Sequence, residues 1–281
     1  MTKKPIAYIF GAGATGRALL PLVEEKYQVA GFLDNDPSKW QTEVSSMTVH
    51  NPLSIHELPF DMIVLGTYVG LDPMTEQLLG MGINRTKIDH EYISLTVKAR
   101  VMFLEKLGQM FHANETPGCV AEGGVFQGDF AKEINRVFPT KRMYLFDTFA
   151  GFDERDVAYE SAKQYSESNA GHFNITSEEM VLAKLKHPEM CVIRKGYFPQ
   201  TTQGIDEKFC FVNLDFDLYQ PILAGLEYFS PRMVKGGVIL IHEYFSEYYK
   251  GVMEAVKTYE KQNGELNLFP IGDGLSIGIL F

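Results

Sequence analysis

Two apolar runs in the chain break off into groups that can bind or move a proton. FVNLDFDLYQ (211–220) ends in Asp215 and Asp217, and GGVILIHEYF (236–245) ends in His242 and Glu243. A buried parallel strand is expected to be apolar throughout, and in an open α/β sheet the ligand crevice lies outside the carboxyl ends of the strands. Polar groups at such ends are therefore either plain strand exits or a site. An imidazole beside carboxylates can move a proton near neutrality or ligate a metal. Asp215, after the buried run FCFVNL, and His242 are the catalytic candidates. Asp217 reads as a strand exit or helix cap, because the L-Y-Q-P after it looks like a helix start.

Two more acids close apolar runs in the same half of the chain, Glu122 in CVAEGG and Asp147 in KRMYLFD. Glu122 precedes Gly124 and Gly128, a G-x-x-x-G turn that suits a ligand without a pyrophosphate lying against bare backbone. Asp147 is placed to accept from a ribose diol. That pairing is what S-adenosylmethionine (SAM) asks for.

The elements that would position these groups alternate as strand, turn and helix from Gly118 onward. The final run ELNLFPIGDGLSIGILF reads as two strands joined through GDG, an antiparallel hairpin at a sheet edge with Asp273 structural in its turn. Between them, residues 153–176 are polar and without strand signal, a solvated loop or a lid offering Tyr159, Tyr165 and His172. A capping box of Thr176 and Glu179 starts the next helix, and His187 is expected to end a helix.

The first half repeats the theme. PIAYIFGAGATG places Gly11, Gly13 and Gly16 in G-x-G-x-x-G spacing between a strand and a helix, and Asp34 closes the next strand where it can reach a ribose. DMIVLGTY (61–68) reads as a third strand. Gly11, Gly13, Gly16 and Asp34 are thus a candidate nucleotide site, against the alternative of a fold used for packing or dimerisation. There is no Tyr-x-x-x-Lys, which makes an NAD-dependent oxidoreductase the weakest reading. LTVKARVMFLEKLGQMF (95–111) reads as a connecting helix, and the domains expected are 1–94, a linking 95–115 and 116–281.

Five blocks, AEGGVFQGD, LFDTFAGF, IRKGYFPQT, FVNLDFDLYQP and MVKGGVILIHEYF, stand in the order of the macrocin O-methyltransferase (TylF-like) family, which residues 116–281 resemble. The resemblance implies a seven-stranded SAM-dependent methyltransferase sheet acting on sugar hydroxyls, usually with a divalent metal such as magnesium. It places Glu122, Gly124 and Gly128 along the methionine part of SAM, Asp147 on the ribose, and Thr148 and Phe149 beside the cofactor. The family's metal site uses the first acid of the L-D-x-D-L-Y block, here Asp215, and an acid pair whose places are taken here by His242 and Glu243. A set of Asp215, His242 and Glu243 suits manganese, iron or zinc better than magnesium, because imidazole is a borderline nitrogen donor. Alternatively the metal is gone and His242 does the proton work itself. FGAGATGRAL and VAGFLDNDP resemble the small Rossmann or CoA-binding-like domains of sugar-modifying enzymes.

Composition narrows the partners. A net charge of −10 disfavours nucleic acid and anionic membranes, and no run of about 18 apolar residues offers a membrane span. Three cysteines without CxxC spacing fit a reducing cytoplasm. The expectation is an α/β protein with two Rossmann-like domains, an abbreviated nucleotide-binding-like sheet and a seven-stranded methyltransferase sheet, acting as a SAM-dependent O-methyltransferase on a small-molecule carbohydrate. Its abundant aromatics permit a homodimer. A nucleotide-responsive binding protein with a non-catalytic methyltransferase-like domain is the alternative.

Overall fold

The computed structural model describes residues 3–67 and 71–281, so Tyr68, the expected end of the third strand, lies outside the described residues. The chain divides into two units, Met1–Lys98 and Ala99–Phe281.

In the first unit, β1 (Ile6–Phe10) leads through the glycine turn into α1 (Ala14–Lys26) and β2 (Gln28–Leu33). The short strands β3 (Glu43–Val44) and β4 (Met47–His50), then β5 (Met62–Leu65), α2 (Leu71–Gly80) and β6 (Ile88–Asp89), complete it. The sheet order is β3-β4-β2-β1-β5-β6, and only the β3–β4 pair, among the described residues, is antiparallel. Alternate residues of β1 face opposite sides, as strand geometry requires: Ala7 and Ile9 pack with Leu19 and Val23 of α1, while Tyr8 and Phe10 pack with Met74 and Leu78 of α2.

A long helix, α3 (Glu91–Ala113), runs from the first unit into the second. There follow β7 (Cys119–Gly123), α4 (Ala131–Val137), β8 (Met143–Asp147), α5 (Glu154–Lys163), α6 (Glu178–Lys184), β9 (Cys191–Lys195), β10 (Phe209–Leu214), α7 (Tyr219–Phe229), β11 (Met233–Ile241), α8 (Lys250–Asn263), β12 (Asn267–Pro270) and β13 (Ile277–Leu280). The seven strands are ordered β12-β13-β11-β10-β7-β8-β9. Strands β7 to β11 are parallel, and β12 and β13 form the antiparallel hairpin expected at the edge. Asp273 holds its turn by accepting the N–H groups of Leu275 at 3.0 Å and Ser276 at 2.8 Å.

β10 is buried at every position, which explains its near-continuous apolar run. One face of the sheet packs Phe146, Val212 and Ile239 against Ile222 and Leu226 of α7 and Val252 and Val256 of α8. The other packs Leu145, Phe211 and Leu240 against Leu104 and Leu107 of α3 and Ile134 of α4. Starting from β7, the chain builds β8 and β9 on one side and then crosses to β10 on the other. The carboxyl ends of β7 and β10 therefore flank the point where strand order reverses, the favoured place for a ligand in an open α/β sheet.

Three local expectations are corrected. The polar stretch 153–176 contains α5, whose buried positions are acids: Asp156 accepts from the Tyr197 hydroxyl at 2.8 Å, and Glu160 accepts from the backbone N–H of Tyr219 at 2.8 Å and so caps α7. Burial pushes Asp156 up to about 6. Ser177, not Thr176, caps α6, accepting from Met180 N at 3.1 Å, while the Thr176 hydroxyl donates to the carbonyl of Phe126. His187 lies beyond the end of α6, ahead of a short 3-10 turn at Pro188–Met190.

Candidate functional site

At the carboxyl edge of the second unit, adjacent strand tips are tied to one another. Asp215 N–H donates to Gly123 O at 2.7 Å and His242 N–H to Leu214 O at 3.0 Å. The register pairs Leu214 with Gly123 on one side and Ile241 on the other. Asp215 and His242 are the next residues out, so they emerge side by side beside the turn that follows β7. That turn has no room for a side chain at Gly124, which has a φ of +80° and whose added Cβ would lie 2.0 Å from the Asp215 carbonyl oxygen. Phe126, Phe149, Asp217 and Glu243, one beyond each of β7, β8, β10 and β11, have positive φ (46°, 52°, 62° and 57°). Each such residue stores of order 1 kcal/mol or more of strain, and strain of this kind gathers at functional sites.

A continuous polar chain crosses the edge. Glu122, 1% exposed, accepts from Asn213 Nδ2 at 2.9 Å through Oε1, while its Oε2 is buried with no partner. Arg100 of α3 donates through Nη2 to Asn213 Oδ1 and to Asp215 Oδ2, both at 2.9 Å. His242 Nδ1 lies 3.1 Å from Asp215 Oδ1 and 3.5 Å from Glu243 Oε1.

Burial pushes the Glu122 carboxyl well above the usual carboxylate range, with help from the Asp215 charge. Burial pushes Asp217 well above that range too, reinforced by Asp215 and Glu243. Asp215 goes the other way: burial would raise it, but the His242 and Arg100 cations hold it well below the carboxylate range. Burial and the Arg100 charge press His242 down, yet Asp215 and Glu243 outweigh them, and its pKa rises above the ordinary 6.5.

Asp147 plays a different part. Its Oδ2 accepts the N–H groups of Val125 at 2.7 Å and Phe126 at 2.9 Å, and its Oδ1 accepts that of Phe149 at 2.6 Å. A carboxylate offers about four acceptor positions, so the group is first of all the anchor of the turn after β7. Thr148 closes its own turn, donating to Gly151 O at 2.7 Å, and Phe149 is buried. Beside them, where Asp147 is in register with Lys195, a cavity of about 380 Å³ opens at the end of β9, lined by Arg194, Lys195, Gln200 and Thr201.

The donor atoms of Asp215, Asp217 and His242 lie within 4.8 Å of one another, a spacing a metal ion can bridge. This set contains Asp217, which its sequence context marked as a helix start, in place of Glu243. The chemistry of the donors does not fit a resident divalent ion. Both Asp215 oxygens are engaged, one by a guanidinium and the other by an imidazole N–H. An ion at this set would have to displace the Arg100 guanidinium or the His242 N–H from Asp215.

Arg100, Asn213 and Asp217 are the members that sequence reasoning passed over. Asn213 carried a signal as an amide inside the otherwise apolar FCFVNL, Asp217 carried one as the second acid after that run, and Arg100 carried none.

In the first unit, Gly16 packs so closely on the turn that an added Cβ would lie 1.9 Å from Gly11 O. Asp34, 8% exposed, accepts from Ala12 N at 2.9 Å and Lys39 Nζ at 3.1 Å through Oδ2, and from Asp36 N at 2.9 Å through Oδ1. Gly11, Gly13, Asp34 and Lys39 line a cavity of about 220 Å³ together with Thr15, Asn35 and Met74.

Compared with known proteins, residues 83–270 match the family model described as macrocin-O-methyltransferase (TylF), and residues 2–89 match the C2185-like N-terminal family. Among solved structures, the O-methyltransferase NovP aligns with a TM-score of 0.52 at 18% identity, over 65% of this chain and 79% of its own. The calicheamicin methyltransferase CalS11 aligns with a TM-score of 0.51 at 17% identity, over 76% of this chain and 87% of its own. At such identities the likeness is one of fold. No curated protein matches the chain.

Proposed function

The chain belongs to the macrocin O-methyltransferase (TylF) family of SAM-dependent O-methyltransferases, and from that membership we propose that its second unit methylates a hydroxyl of a sugar or nucleotide-linked sugar, with His242 as general base. The observation that carries this reading is the pairing of His242 Nδ1 with Asp215 at 3.1 Å, beside the point where the strand order reverses. Held in this way, the neutral ring keeps its Nδ1 hydrogen turned to the carboxylate and has Nε2 left to accept a proton. A sugar hydroxyl is far too weak an acid to ionise alone at neutral pH, so a base at the reacting oxygen is what the chemistry requires.

SAM, when bound, supplies a methyl group made electrophilic by its sulfonium. Support for its place comes from Glu122, whose buried Oε2 lacks any partner and suits the amino group of a methionine moiety. The turn from Gly124 to Gly128 exposes backbone to the same moiety, and Asp147 fixes that turn while keeping acceptor capacity for a ribose hydroxyl. Thr148 and Phe149 continue the same wall. Asp217 and Glu243 complete the acceptor side.

For the first unit we assign the cavity at Gly11, Gly13 and Asp34, with Gly16 supporting the turn, to a nucleotide-bearing ligand. The glycine turn opens α1, where phosphate oxygens find backbone N–H groups. Residues 1–94 and 116–281 would then act as ligand-binding and methyl-transfer domains. Among the described residues no helix is long and apolar enough to cross a membrane, and the three cysteines are free thiols, in keeping with a cytoplasmic setting.

The test is an acceptor panel. Incubating the chain with SAM and nucleoside diphosphate sugars, then reading products by mass, is expected to show gain of one methyl group on a nucleotide sugar but not on the free nucleotide. Methylation of a plant-type phenol in preference to every sugar would overturn the substrate class.

A further inference from the structure

The acid-rich cluster at the tips of β10 and β11 already holds a cation, and that cation is part of the chain. Asp215, Asp217 and Glu243 bring three carboxyl groups to one edge, and among the ionic contacts of that edge the guanidinium of Arg100 makes the shortest, at 2.9 Å to Asp215 Oδ2. Arg100 is held through Nη2 and through the face of its guanidinium, while its buried Nε has no hydrogen-bond partner. Its Nη2 also donates to Asn213 Oδ1 at 2.9 Å, its guanidinium carbon lies 4.0 Å from the centre of the Phe130 ring, and its side chain is 12% exposed. An arginine is charged at every physiological pH and matches a carboxylate with a planar fork of donors. Held against Phe130, it has little freedom to swing away and admit another cation.

We propose that Arg100 occupies the place of a divalent cation in this site, so that the chain supplies its own positive charge to Asp215 and its acceptor-binding edge works without metal. Arg100 is a positioning residue in this arrangement. It holds one oxygen of Asp215, whose other oxygen orients His242, and through Asn213 it fixes Glu122. The same fixed charge repels a second cation arriving at Asp215, Asp217 or His242. The single asparagine in β10 serves as the coupling piece, since its amide accepts from Arg100 and donates to Glu122 at once. The inference rests on the methyltransferase reading for what the site does, but its test does not.

That test is a titration of the full chain with Mn²⁺, following the free ion by electron paramagnetic resonance. Wild type is expected to bind no Mn²⁺ below millimolar concentration. Arg100→Ala is expected to gain a site about tenfold or more tighter, lost again when Asp215→Asn is added, while Arg100→Lys keeps a cation in place and remains like wild type. Circular dichroism checks each fold, and Arg100→Gln replaces Arg100→Ala should the latter not fold. Micromolar Mn²⁺ binding by wild type that disappears in Asp215→Asn would overturn the inference, as would the absence of any gain in folded Arg100→Ala or Arg100→Gln. Calorimetry with SAM on the same samples separates the two ideas. Wild type that binds neither SAM nor Mn²⁺ upholds the cation inference and defeats the methyltransferase reading, and wild type that binds both does the reverse.

Discussion

Replacing His242 with alanine is expected to slow methyl transfer by about 10²–10⁴-fold, the usual contribution of a positioned general base, while SAM affinity changes little. The separation follows from geometry: His242 lies just beyond β11 and pairs with Asp215, whereas Glu122 and Asp147 belong to β7 and β8 and Gly124 to the turn after β7. The pH profile carries the same claim. A base must be neutral to take a proton, so the rate rises as pH passes through the pKa of His242 and is lost below it. Asp215 and Glu243 lift that pKa above 6.5 against burial and the Arg100 charge, which puts the rising limb above pH 6.5. Asp215→Asn removes the leading source of the upward shift and is expected to move the limb downward, with a lower plateau because the ring is no longer held. A His242→Ala enzyme with full rate and an unchanged profile would remove the residue from the mechanism.

The second large effect belongs to Asp147. Its carboxylate accepts three backbone N–H groups, from Val125, Phe126 and Phe149, and two of those residues hold positive φ. Hydrogen bonds to a charged group contribute about 1.5–3 kcal/mol each, and water can replace part of that at this partly open edge. Asp147→Ala is therefore expected to lower stability by about 2–4 kcal/mol and to weaken SAM binding by about 10²-fold or more. Asp147→Asn, which keeps an acceptor oxygen, should fall between. Denaturant unfolding and calorimetric titration measure the two effects independently. Full SAM affinity in a folded Asp147→Ala variant would show that the turn does not form the cofactor's bed.

Much of this was legible in the chain itself, for a physical reason. Parallel strands covered on both faces must be apolar, so an acid or imidazole at the end of such a run stands out, and Glu122, Asp147, Asp215 and His242 all lie at strand ends in the structure. The order of five blocks was enough to identify the family, and the GDG turn with alternating apolar neighbours identified the edge hairpin. Arg100 was not legible. An arginine within LTVKARVMF reads as the solvated side of a helix, and nothing local reveals that α3 carries it to a strand tip more than a hundred residues away in sequence. Helix α5 was missed because its two buried positions are Asp156 and Glu160, with only Val157 and Tyr159 as partly buried apolar neighbours, which leaves a weak hydrophobic pattern. Asp217 was misread because L-Y-Q-P does begin a helix, α7 from Tyr219, and a residue just before a helix is usually its cap. Here Leu218 holds the cap position without a side-chain bond, and Asp217 turns through a left-handed conformation into the cluster.

The most direct test of the whole account is a structure of the chain with S-adenosylhomocysteine, the product left after methyl transfer. The account predicts its amino acid end at Glu122 and the Gly124 turn, its ribose beside Asp147, and its sulfur on the side facing Asp215 and His242. Binding in the Gly11–Asp34 cavity of the first unit instead, with the carboxyl edge of the second sheet left empty, would contradict it.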